Sequence, residues 1–129
     1  MPQKCRHLSY QVNDGVLVVD ILDAEIQGEV IASALRDELL QAYADSGCQR
    51  VIVDFQRTRY ISSVAFWPLL SLHRKLQASQ GRLIVCGLSS SVGDVFFTTR
   101  LISPSGEFAA PFGFEPDLPT ALASMGKSA

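Results

Sequence analysis

Two largely apolar runs, Val51–Phe55 (broken only by Asp54) and Leu83–Leu88, bracket a stretch in which Leu69, Leu72 and Leu76 recur at helical spacing. Strands buried on both faces of a parallel sheet read as continuous apolar runs, and parallel neighbours need a helix between them. This segment therefore predicts a strand–helix–strand unit, with Arg74, Lys75 and Gln77 on the outer helix face and Gly81 closing it. Upstream, Leu8–Val12 and Val16–Leu22 read as strands. Between them Asn13-Asp14-Gly15 carries the Asp-Gly hairpin signal. Asp23–Glu29 is a connection. From Glu29 to about Ser46, the stripe Ile31, Leu35, Leu39, Ala42, with Val30, Ala34 and Tyr43 beside it, predicts an amphipathic helix. Arg36, Asp37 and Glu38 face water there, and Gly47 stops the helix in the left-handed conformation.

After Leu88, Ser89–Ser91 offer N-caps to a helix carrying Val92, Val95, Phe96 and Thr99. Ile102–Glu107 is a loop. Phe108–Phe114 holds a candidate edge strand broken by Pro111. Asp117 or a neighbour caps a last helix with Leu118, Ala121, Leu122 and Met125 inward. Right-handed crossovers would lay successive parallel strands side by side, with the N-terminal hairpin antiparallel. The expectation is one α/β domain with its core at about residues 8–125. Its sheet is mixed and mostly parallel, with four to five strands and about four helices.

The polar step between strand and helix carries Ser62 and Ser63. The first turn of a helix presents unpaired N–H groups and the positive end of the helix dipole, which favour a phosphate. A phosphoserine there gains about two negative charges and three acceptor oxygens, which disrupt an apolar partner surface laid over it. The plainer reading is an N-cap, worth roughly 1 kcal/mol over alanine. Both remain open. Pro68 makes this helix start irregular: either it bends a helix begun near Ser63, or the helix begins near Pro68 and the serines lie on a turn. Trp67, the only tryptophan, is expected to be partly exposed.

Composition narrows the class. In 129 residues, 47% hydrophobic and 19% charged content is that of a globular domain. A net charge of −2 gives no general attraction to nucleic acid. Three widely spaced cysteines, Cys5, Cys48 and Cys86, suit a reducing compartment better than a disulfide framework. No stretch resembles a signal peptide or a membrane span, so the expected location is the cytoplasm. Glycine-rich phosphate loops, dinucleotide fingerprints and the Gly-x-Ser-x-Gly elbow are absent, so no catalytic residue or cofactor is expected. His73 reads as a packing residue. Cys5 and His7 are two potential metal ligands, too few for a site. Asp54 is expected to order the loop after its strand. Arg57, Arg59 and Arg100 are candidate anion ligands. Asp20, Asp23 and Glu25 are either solvated loop charges or contacts for basic residues of a partner.

The run VIVDFQRTRYISSVAFWPLLSLHRKLQASQGRLIVCGLSSSV resembles the STAS domain family, which includes anti-sigma factor antagonists, stressosome proteins and cytoplasmic tails of sulphate transporters. Asp54 matches the strand-end Asp, Ser63 the serine phosphorylated by a partner kinase, and Gly81, Gly87 and Leu88 the later landmarks. Ser62 stands where the family motif has Asp, and Ala65 where it has Gly. Trp67 and Pro68 follow where small residues are usual. The resemblance implies a non-catalytic regulator that binds a kinase-type anti-sigma protein. Ser63 would be the phosphorylation site, and Asp23, Ser62, Ser63, Ala65, Phe66 and Trp67 would line the contact. A constitutive interaction module, as scaffold or transporter accessory subunit, is the alternative.

Overall fold

The computed structural model describes residues 3–102 and 110–126. The predicted hairpin is present: β2 (Leu8–Asn13) and β3 (Val16–Ile21) pair antiparallel, with Gly15 at φ 79° in the turn. A two-residue strand, β1 (Gln3–Lys4), extends the edge beside β2. Helix α1 (Glu29–Ser46) follows, and Gly47 ends it in the left-handed conformation with φ 67°. Then come β5 (Arg50–Asp54), helix α2 (Phe66–Ala78), β7 (Arg82–Cys86), helix α3 (Ser90–Thr98), β8 (Gly113–Glu115) and helix α4 (Leu118–Gly126).

The main sheet runs β1-β2-β3-β5-β7-β8, parallel from β3 onward. It is the mixed sheet expected, widened by β1. A second, two-stranded sheet lay outside the expectation. In it β4 (Glu25–Ile26) pairs in parallel with β6 (Tyr60–Ile61), inside what the sequence presented as plain connections.

Alternation along the strands divides the core. Leu17, Val19, Val51, Val53, Leu83 and Val85 face α1, α2 and α3, where Leu35, Leu39, Leu69, Leu72, Leu76 and Phe96 meet them. Val16, Val18, Ile52, Ile84 and Cys86 face Ala121 and Met125 of α4. The predicted stripe of α1 is shifted: Ala32 is buried with Leu35, Leu39 and Ala42, while Val30 is 85% exposed. Among the described residues the last strand is Gly113–Glu115, after Pro111. Residues 103–109, which hold most of the expected Ile102–Glu107 loop and the start of the candidate edge strand, lie outside the described residues. The predicted strand Leu83–Leu88 stops at Cys86 because Gly87, at φ +69°, turns away. A Cβ there would collide with Asp54 Oδ1.

Candidate functional site: the serine turn

The loop after β5 is built from its first residue. Asp54 is 3% exposed, and its Oδ1 accepts the Gln56 N–H at 3.0 Å, so it orders the turn as expected. Burial, with the Asp20 carboxylate opposite it on β3, pushes the Asp54 carboxyl above the usual range. Arg57 Nε donates to Asp20 Oδ2 at 3.0 Å. Thr58, also buried, donates to the Asp23 carbonyl at 2.8 Å. Arg59 and Tyr60 both donate from the backbone to the Ala24 carbonyl. This lattice sews the β5–β6 loop to the β3–β4 loop and delivers Ser62 beside β4, where its N–H donates to the Ile26 carbonyl at 2.9 Å.

Ser62 then precedes a 3₁₀ turn, η1 (Ser63–Ala65), which runs into α2 at Phe66. Of the two starts allowed by Pro68, the second holds in essence: the serines lie on an irregular turn. Pro68 is the third residue of α2, where its missing N–H leaves no hydrogen bond unmade. Ser62 Oγ is buried and makes no hydrogen bond, and no side chain caps this turn. Ser63 is exposed.

The predicted contact residues separate into two sets. Ser63 and Trp67 face outward, Trp67 at 53% exposure. Ala65 and Phe66 do not line a surface: they are 3% and 5% exposed, because the 3₁₀ turn rotates Phe66 onto Phe96, ring centroids 4.9 Å apart. Asp23 is partly covered, with Oδ2 at 2.7 Å from His7 Nδ1. Two residues not among the predicted contacts, Val30 and Tyr60, are exposed on elements that flank the turn. The weak apolar periodicity of α1's first turn was the only sequence signal for Val30; Tyr60 had none.

Among the described residues no group of three His, Cys, Asp or Glu side chains stands ready for a metal. His73 packs edge-on against Phe112 at 5.8 Å, and burial pulls its pKa below the ordinary value. Cys86 is buried, and its thiol is pushed up to about 12 by that burial and by Asp54. Neither offers a base or a nucleophile to Ser63. No helix is long and apolar enough to cross a membrane, among the residues described.

Known proteins supply the frame for this geometry. The STAS domain model matches residues 7–104. The Bordetella bronchiseptica protein BtrV, whose name places it among anti-sigma factor antagonists, is 34% identical over 113 residues, covering 82% of this chain and 92% of BtrV. An anti-sigma factor antagonist from Mycobacterium paratuberculosis superposes with a TM-score of 0.72 at 24% identity, over 91% of each chain. The Bacillus protein SpoIIAA does so in its unphosphorylated form, with a TM-score of 0.65, 17% identity and 95% and 99% coverage. Its phosphorylated form gives 0.64 at 18% identity, over 92% of this chain and 98% of that one. The chain belongs to the STAS domain family.

Proposed function

We propose that the chain is a non-catalytic switch protein of the anti-sigma factor antagonist kind, binding a kinase-type anti-sigma protein through the serine turn and released when Ser63 is phosphorylated. One observation carries this reading: Ser63 is exposed on an uncapped turn, so its hydroxyl has no structural task. The relationship to BtrV and the fold shared with SpoIIAA, which has been solved with and without phosphate, support it. Pro68 removes one N–H donor that a phosphate at an ordinary helix start would use. A dianion on Ser63 is therefore held less by its own helix and weighs more on whatever covers it.

Isothermal titration against purified kinase-type anti-sigma proteins from the same cells tests the switch. Ser63→Ala binds as the wild type does. Ser63→Asp weakens binding at least about tenfold, or roughly 1.4 kcal/mol. Equal binding by both variants removes the switch. A constitutive interaction module is the second reading, favoured by Ser62 standing where the family has Asp. Peptide mass spectrometry showing no phosphate on Ser63 in growth or stress would select it.

A further inference from the structure

Five large apolar side chains are exposed among the described residues, and four of them, Val30, Tyr60, Trp67 and Phe97, sit on elements that meet one another around the serine turn. Val30 lies in the first turn of α1, which touches η1, and Tyr60 lies on β6, which touches α3, the helix of Phe97. Trp67 is four residues after Ser63 and Tyr60 three before it. Exposed apolar side chains, three of the four aromatic, on elements that meet mark a protein contact more than a plain surface. The same end carries exposed carboxylates. Glu25 sits opposite Tyr60 in the β4–β6 register, and Glu29 precedes Val30. In the β5–β6 loop Arg57 is already tied to Asp20, which leaves Arg59 as the opposing exposed charge.

We propose that this end is the docking face for a protein whose apolar slot takes Trp67 and whose lysine or arginine side chains meet Glu25 and Glu29. The inference rests on the switch reading above and names the chemistry of its partner. Trp67 supplies a large, nearly rigid side chain that loses little entropy on burial, the usual anchor of a hot spot. Exposed in the first turn of α2, four residues after Ser63, it is the side chain that sets which partner this chain accepts. The carboxylates lie on the rim, where charge governs encounter and register more than final affinity. Phosphate on Ser63 would fall on the turn that leads into the helix of Trp67, close in the chain to the apolar anchor. There the dianion must lose its water against apolar side chains, so release follows although the rim attracts a basic partner.

Stopped-flow and equilibrium fluorescence with the purified kinase-type anti-sigma proteins test this, since Trp67 is the chain's only tryptophan. A partner lacking tryptophan, or one with its tryptophans replaced by phenylalanine, keeps the signal specific. Trp67 emission shifts to the blue on binding. Trp67→Ala, which has no tryptophan left to report and is therefore measured by isothermal titration, weakens binding roughly thirtyfold or more, the size of a hot-spot loss. Glu25→Lys combined with Glu29→Lys slows association about tenfold at low salt and flattens its salt dependence. Circular dichroism melts confirm that these exposed substitutions leave the fold intact. If Ser63→Asp releases the partner while Trp67→Ala and the charge reversal bind within threefold of wild type, the docking proposal falls and the switch stands. A wild-type chain that binds none of these proteins overturns both.

Discussion

Two serine-headed helices leave the C-terminal side of the parallel sheet, and their first turns differ in one hydrogen bond. At α3, Ser89 has an extended backbone, φ −66° and ψ 165°, and its Oγ accepts the Val92 N–H at 3.2 Å. At the start leading to α2, Ser62 has nearly the same backbone type, φ −101° and ψ 171°, yet caps nothing. In α3 the Gly93 N–H reaches back four residues to the Ser89 carbonyl, which leaves Val92 N–H for the side chain. In η1 the Ala65 N–H reaches back only three, to the Ser62 carbonyl, and so takes the donor that a cap would use. In this chain the serine followed by an α-helical turn is a cap and the serine followed by a 3₁₀ turn is not. The serine pair at 62–63 is relieved of that work, and the exposed one of the two is chemically available.

The comparison breaks most completely at the residue both helices share. Phe96 of α3 packs edge-on against Phe66 of α2 and Phe55, with centroids 4.9 and 5.6 Å away. Phe96→Ala should cost about 3–5 kcal/mol, read from urea unfolding, by opening a cavity beneath both starts. Ser89→Ala should cost about 1 kcal/mol in the same measurement, the ordinary value of a cap. Ser63→Ala should stay within about 0.5 kcal/mol, as exposed positions without special contacts do. Ser62→Ala should be neutral or slightly stabilising, because it deletes a buried hydroxyl that has no partner. A loss of about 1 kcal/mol at Ser62 would restore the capping view.

The smallest effect concerns two carboxylates, Asp54 at the end of β5, ahead of the serine turn, and Asp117 at the head of α4. The Asp54 carboxyl is raised by burial, so the folded state holds its proton more tightly than the unfolded chain. Its contribution to stability is full below the ordinary carboxylate pKa and is lost as pH rises through the folded value. Asp117 is lowered by its hydrogen bonds from Thr120 at the head of α4, the cap expected from sequence. Its contribution is present above the ordinary value and is lost as pH falls through the lowered one. Carbon-13 carboxyl titration should place the Asp54 midpoint above that of an unfolded-chain Asp and the Asp117 midpoint below it. In Asp54→Asn the decline of stability with rising pH should flatten. Midpoints in the reverse order would contradict the geometry of both.

The long elements were legible because their residues repeat a period many times over. Leu35, Leu39 and Ala42 mark α1, and the runs at Val51–Val53 and Leu83–Val85 mark buried parallel strands. Two-residue strands such as β4 and β6 have no period to read; they form because the β3–β4 and β5–β6 loops meet through Thr58 and the Ala24 carbonyl. The burial of Ala65 and Phe66 was hidden for a related reason. A 3₁₀ turn advances about 120° per residue against about 100° in an α-helix, and only the aromatic cluster around Phe96 selects that phase.

The sequence by itself determined the order of the long elements and the position of the serine pair near a helix start, since local periodicity and turn residues carry those; the resemblance of its motifs carried the family. Tertiary structure alone decided which serine is free, that Val30, Tyr60 and Trp67 are exposed on elements around the serine turn, and that the Asp54 carboxyl is pushed above its usual range. Each depends on hydrogen bonds and packing between residues far apart in the chain, and no local pattern encodes the partner that a side chain will meet.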